Sequence, residues 1–252
     1  MKGVVLTVSI LVAITAPLGA GTIYQEDFSF DPNWTTNNPD HYFWDMSSQT
    51  YYQKSVDGSD EYSYHALPGF QAGSRWRLQY DLLPAQLDYV GDSRLGFTDA
   101  DLVSWHYAGI SPQYFTVTVG HTDEGYKPSI HWITSEGVLE GDDWPGGVLT
   151  PGVWYSILVD YDPALSQFYT RISERDSGIV LVSDTSLVNG TFTSGLDRIA
   201  MSVIGDSGWS DGATGVSYID NIRVEVIPAP GAIVLGGLGM GVVHWLRRRR
   251  VV

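Results

Sequence analysis

The 252-residue chain contains no cysteine. Disulfides, thiolate metal sites and a cysteine nucleophile are excluded together, so core burial has to hold the fold, with or without an oxygen-ligated ion. Cations are scarce as well: 14 Lys and Arg stand against 29 Asp and Glu. Five of those cations are Lys2 and Arg247 to Arg250, at the two ends, whereas every acid lies between Glu26 and Glu225. The middle thus holds nine cations against 29 anions, an excess of twenty negative charges. Such a domain repels phosphate backbones, which excludes nucleic acid as a partner; it suits cations, neutral sugars or basic partners. No Gly-rich phosphate loop, His-x-x-x-His pair or dinucleotide fingerprint occurs. No amphipathic helix longer than two turns can be drawn, and no internal repeat is found. With 43% hydrophobic and 17% charged residues the chain is nevertheless globular in composition.

The two ends are built differently from the middle. Lys2 and the apolar run Val4 to Ala16 lead into Pro17-Leu18-Gly19-Ala20. This reads as a secretory signal peptide, residues 1–20, cleaved after Ala20; the alternative is an uncleaved anchor helix. At the other end Pro228-Ala229-Pro230 precedes an uncharged run from Gly231 to Leu246, and Arg247 to Arg250 follow. As a helix that run reaches roughly 24 Å, a little short of a ~30 Å hydrocarbon core. Trp245 would sit at the interface, and the arginines would hold the tail end at the cytoplasmic side of the inner membrane, consistent with export of what precedes it. An ordinary single-span anchor is the alternative.

This order of Pro-containing motif, apolar helix and Arg cluster resembles the PEP-CTERM sorting signal, with Ala229 where that family usually has Glu. The resemblance covers about the last 25 residues (segment 227–252) and implies an exosortase that recognises Pro228, Ala229, Pro230 and Arg247, Arg248, Arg249, Arg250.

Between the ends, over residues 21–226, the apolar period is two. Trp76, Leu78, Tyr80 and Leu82 alternate with polar residues, as do Phe115, Val117 and Val119, then Val153 to Tyr161, then Phe168 to Ile172. Turn signals such as Asp57-Gly58, Pro151-Gly152 and Asn189-Gly190 separate these runs. Short strands with one buried face predict a single antiparallel β-sandwich. In the last strand Val216, Tyr218, Ile222 and Val224 share one phase, which predicts that Asp220 also points inward.

Glu26-Asp27-Phe28, Phe43-Trp44-Asp45 and the closing Tyr218-Ile219-Asp220-Asn221-Ile222-Arg223-Val224 resemble the concanavalin A-like, laminin-G-type jelly rolls over about 200 residues. The resemblance implies binding of an extracellular polysaccharide or of matrix, with glycoside hydrolysis in a minority of cases. It also implies a structural Ca2+ held by Asp220 with Glu26 or Asp27. An ionised carboxylate on the inner face needs such a partner, and oxygen ligands suit calcium. The alternative is Asp220 paired with an Arg or with backbone amides at a strand end.

A retaining hydrolase needs an acid and a nucleophile roughly 5–5.5 Å apart on one face. No Glu-x-Asp-x-x-Glu string occurs, and adjacent pairs such as Asp142-Asp143 would point to opposite faces. Gly205-Asp206-Ser207-Gly208 reads as a loop. The aromatics are the stronger lead. Trp34, Trp105, Trp144 and Trp209 lie beside Pro, Gly, Asp or Ser, where loops form, and are the candidate ligand-binding residues; a core position is the alternative for each. Trp44, Trp76, Trp132 and Trp154 lie inside strand patterns and are expected in the core. The reading is a non-enzymatic exported cell-surface or matrix protein with a carbohydrate-binding-type sandwich. Its alternatives are a structural or adhesive matrix component with no specific glycan, and a divergent glycoside hydrolase.

Overall fold

The computed structural model describes residues 21–56, 61–87, 92–98, 113–122, 125–144, 147–193, 196–202 and 214–228. The signal-peptide segment 1–20, Trp105, Trp209, Ala229, Pro230 and Arg247 to Arg250 lie outside them. Among the described residues no helix is long and apolar enough to cross a membrane. Residues Gly21–Ile227 form one compact unit.

The described residues form fifteen strands in chain order: β1 Gly21–Glu26, β2 Thr35–Thr36, β3 Tyr42–Asp45, β4 Thr50–Val56, β5 Tyr62–Ala66, β6 Trp76–Leu87, β7 Asp92–Thr98, β8 Tyr114–Thr122, β9 Gly125–Ile133, β10 Leu139–Asp143, β11 Tyr155–Asp162, β12 Gln167–Glu174, β13 Val180–Leu187, β14 Arg198–Ser202 and β15 Thr214–Val226. They make two antiparallel sheets. One runs β13-β12-β11-β6-β15-β4-β3 with β1 also on β15, and the other runs β10-β9-β8-β7-β14-β5-β2. They are called here the β15 sheet and the β8 sheet.

The period-two runs dictate how the sheets meet. Trp76, Leu78, Tyr80 and Leu82 of β6 are each at most 2% exposed, and Tyr155, Ile157, Val159 and Tyr161 of β11 at most 1%. From the other sheet Phe97, Phe115 and Val117 face them. Trp76 is the hub: its ring packs edge-on against Phe97 at 5.0 Å and Phe115 at 5.2 Å, and contacts Tyr161 at 5.4 Å. Its indole N–H donates to the Ala72 carbonyl at 3.1 Å, so its one polar atom is satisfied inside the core.

The last strand departs from the expected phase. Gly215 and Ile219 are buried, and so is Ser217, which shares a hydrogen bond with Ser93 at 2.7 Å. Val216, Tyr218 and Asp220 therefore point outward, while Ile222 and Val224 point inward. The reason is a bulge. Asp220 pairs with Asp81 and Arg223 with Gln79, so Asn221 and Ile222 stand opposite the single residue Tyr80. Asn221 takes the left-handed conformation, φ 52°, that a side chain rarely adopts. The extra residue inverts the alternation, and the inward placement expected of Asp220 is corrected to an outward one.

Two stability measurements check this account. By urea denaturation Trp76→Ala costs about 3–5 kcal/mol, as for other large core aromatics; a loss below about 1 kcal/mol would remove it as hub. Asn221→Val is less stable than Asn221→Gly by about 1–3 kcal/mol, since both lose the amide but only valine meets strain at positive φ.

Candidate functional site

The two outer faces differ in access. On the β8 sheet the outward residues Thr98, Thr116, Thr118, Ser129 and Arg94 are buried, none above 8% exposed. His131 on the same face is pushed down to about 4, chiefly by burial, with the charge of Arg94 adding to the effect. The outer face of the β15 sheet is open: Gln79, Arg171, Ser183 and Arg223 are exposed. Of the two outer faces, that of the β15 sheet is therefore the accessible one.

An aromatic row crosses that face. Cross-strand register places Phe43 of β3 beside Tyr52 of β4, Tyr52 beside Tyr218 of β15, and Tyr218 beside Leu83 of β6. Directly opposed side chains on one face lie in contact. Phe43 and Tyr52 stack at 4.5 Å with an interplanar angle of 26°, and Tyr218 meets Tyr52 edge-on at 5.4 Å. Phe43 is 38% exposed, and both tyrosines are half-buried. Burial, and then the neighbouring Tyr218, raise the Tyr52 phenol above its ordinary value, so it stays a neutral hydrogen-bonding group. Trp154, just before β11, is also half-buried, with the Arg175 guanidinium 4.5 Å over its ring.

One outward position further along β15, two carboxylates are paired across the strands. Asp220 faces Asp81 of β6, and the Asn221 side-chain amide donates to both, at 2.9 Å to Asp81 and 3.1 Å to Asp220. Asp81 also accepts from the Ser156 hydroxyl at 2.6 Å. Arg175 Nη1 approaches Asp81 at 3.7 Å and Asp220 at 3.8 Å. Burial raises the Asp220 carboxyl above its ordinary value; the Asn221 backbone N–H, donating at 2.8 Å, opposes the rise, and the charges of Asp81 and Asp27 add to it. Next to the pair an open depression of about 180 Å3 is lined by Gln25, Glu26, Asp27, Gln79, Asn221, Ile222 and Arg223. It lies where β1 and β4 share one side of β15: β4 pairs with 214–219 and β1 with 222–226.

Among the described residues no three His, Asp or Glu side chains come together as a metal cage. Glu26 accepts from the Phe28 N–H at 2.8 Å and Asp27 from the Ser29 N–H at 3.0 Å, so each closes a local turn. Asp220 has the Arg175 guanidinium at 3.8 Å and its neighbour's side-chain amide as a donor at 3.1 Å.

Two candidate tryptophans are core residues. Trp34 is 7% exposed, its indole N–H donating to Tyr24 Oη at 2.8 Å, and Trp144 is 3% exposed. Their Pro- and Asp-rich surroundings suggest loops, but the rings fold back under neighbouring strands. Trp76 and Trp132 are in the core as expected. Trp44 and Trp154 are only partly buried. Phe43, Tyr52 and Tyr218 are not among the binding residues that the sequence pattern singles out. A signal for them exists in Tyr51-Tyr52: adjacent aromatics in a strand must face opposite ways, and here Tyr51 is 2% exposed while Tyr52 faces out.

No protein-family model matches the chain, and no curated protein matches it. Solved structures do. The CBM2 module of the evolved Dit of Lactobacillus casei BL23 phage J-1 aligns with a TM-score of 0.54 at 12% identity, over 84% of this chain and 97% of that one. Basic winged bean lectin with Tn-antigen aligns at 0.56 and 9%, over 81% and 98%. A xylan β-1,4-xylosidase from Bacillus halodurans C-125 aligns at 0.53 and 11%, over 80% of this chain and 38% of that one. At these identities the likeness is one of fold: the chain is an all-β, lectin-like jelly-roll sandwich.

Titration of Asp220 gives a prediction with a definite sign. Its folded value is raised, so the fold favours the protonated form; that contribution is full below the ordinary carboxylate value of 3.8 and is lost as pH rises through the raised value. Asp220→Asn, always neutral, is expected to melt above wild type at neutral pH and level with it in acid. A variant less stable at neutral pH contradicts this. The calcium ion expected at Asp220 with Glu26 or Asp27 is tested by EDTA: a lowered wild-type melting temperature supports it, and an unchanged one leaves Arg175 and the Asn221 amide as the partners of Asp220.

Proposed function

We propose that this is an exported cell-surface or extracellular-matrix protein whose jelly roll binds a polysaccharide along the open face of the β15 sheet. The observation that carries this reading is the row Phe43, Tyr52 and Tyr218, aromatic side chains crossing three strands on the face that solvent reaches. Aromatic rings offer apolar surface to sugar C–H groups, and the hydroxyls of Tyr52 and Tyr218 can exchange hydrogen bonds with sugar hydroxyls. The adjoining depression supplies amide, carboxylate and guanidinium groups, the polar complement of such a surface. The lectins and binding modules of the same fold support a binding function. A non-catalytic reading is favoured by Asp81, which accepts from Ser156 and Asn221 and faces Arg175, and so is engaged in holding the strands together. The N-terminal signal peptide delivers the chain to export, and the tail from Pro228 is read by an exosortase and held in the inner membrane until processed.

Glycan-array binding by the full-length protein in detergent tests the site. Tyr52→Ala and Tyr218→Ala are each expected to weaken retention about tenfold or more, the loss typical of a central aromatic contact. Unchanged binding by both variants, or none by the wild type, overturns the reading. The tail is tested separately: a chain ending at Ile227 is expected in the medium or periplasm, and retention equal to that of the full chain contradicts the anchor.

A further inference from the structure

We propose that the polysaccharide bound on the β15 sheet carries free amino groups, with an amino-sugar unit seated where the Tyr218 ring meets the Asp81–Asp220 carboxylates. This rests on the glycan reading of that face and narrows it to a cationic polymer.

Charge balance along the face is uneven. Elsewhere on the face two acids, Asp160 and Glu225, have close cations of their own. Asp160 is gripped by Arg77 through two bonds, at 3.0 Å and 2.7 Å, and Glu225 by Arg223 at 2.5 Å. Beside the row Asp81 and Asp220 share Arg175 alone among the described residues, at 3.7 Å and 3.8 Å, well beyond the ~2.7–2.9 Å of a close charge-assisted bond. Arg175 is itself stacked on Trp154 and reaches toward Asp176 at 3.5 Å, so it is committed in several directions. Lys54 lies beyond the aromatic row, opposite Val216, roughly 13 Å along the strand from Asp220. One guanidinium for two carboxylates leaves a net negative charge at this place, inside a domain that already carries an excess of twenty.

A negative site edged by an aromatic ring is the chemistry that recognises an ammonium group. Tyr218 and Asp220 are successive outward residues of one strand, roughly 7 Å apart. A ligand lying on the ring thus places a substituent against the carboxylate. The ring quadrupole attracts a cation, and the carboxylate gains the close partner that Arg175 does not supply. The raised carboxyl of Asp220 agrees: its ionised form lacks full compensation, which a bound ammonium restores. A neutral sugar hydrogen-bonds the carboxylates but leaves the charge unbalanced.

The test is calorimetric titration of the full-length protein in detergent, at low salt and mildly acidic pH. The probes are a glucosamine oligomer, its fully N-acetylated counterpart and a cello-oligomer of equal length. The glucosamine oligomer is expected to bind at least about fivefold more tightly than the acetylated one, the scale of one partly exposed ion pair. Asp220→Asn should erase that margin, weakening the glucosamine oligomer by more than the acetylated one, and Tyr218→Ala should weaken all binding. Gln79→Lys, at an exposed position beside the pair, should erase the margin without touching the carboxylates. Equal affinities for the amine and acetyl forms overturn the amino-sugar proposal and leave the glycan reading standing. Binding of none of the three oligomers also overturns the amino-sugar proposal, the glycan array deciding the broader reading. A margin that survives in Asp220→Asn, Gln79→Lys and Tyr218→Ala belongs to the overall negative field of the domain and overturns the site.

Discussion

The arrangement of this domain turns on the bulge at Asn221. β15 is flanked by β6 along its whole length on one side, and by β4 and then β1 on the other. Both halves of the strand must reach the same core. Its first half supplies Ser217 and Ile219 to the interior, its second half Ile222 and Val224. Those positions cannot share a single period-two phase, and one extra residue reconciles them. The residue that absorbs the mismatch also does chemistry: in its left-handed conformation Asn221 turns an amide onto both Asp81 and Asp220. Without the phase change Tyr218 and Asp220 would enter the core, and the open face would lose both its central ring and its carboxylate pair.

The wealth of aromatics is divided by the same alternation. A cysteine-free sandwich of this size has only burial to hold its sheets together. Trp76, Phe97, Phe115, Tyr161 and Phe168 fill the space between them in edge-on and tilted contacts. Such packing fixes the two sheets against each other at near-crystalline density. The outer face of the β15 sheet carries Phe43, Tyr52 and Tyr218, where the rings have cross-strand neighbours but no second sheet above them.

Electrostatics follow a comparable division. Arg77, Arg175 and Arg223 all lie on or beside the outer face of the β15 sheet, the first two against acids of neighbouring strands and Arg223 against Glu225 of its own strand. Cross-strand pairs of this kind are modest at the surface and stronger where geometry is bidentate, as between Arg77 and Asp160. The buried outer face of the β8 sheet takes the other solution, rows of threonine and serine with Arg94 among them. One outer face is therefore charged and open, the other polar and closed, and this difference locates the candidate site.

By itself the sequence determined the class of fold. Alternation in β6, β8, β11 and β12 is a local property, since successive residues of any strand point to opposite sides, and it identifies the apolar side chains that face the core, though not the burial of Asp81, Thr116 and Thr118 on the other phase. The acidic balance and the absence of thiols belong to composition alone, and they limit the chemistry open to the chain. Only the tertiary structure decided which face was free. Burial of Trp34 and Trp144 depends on what packs over them, not on the Pro and Asp beside them in the chain. The facing of Tyr218 and Asp220 depends on a pairing register with β6 that spans about 140 positions, and a one-residue shift in that register reverses every side chain beyond it.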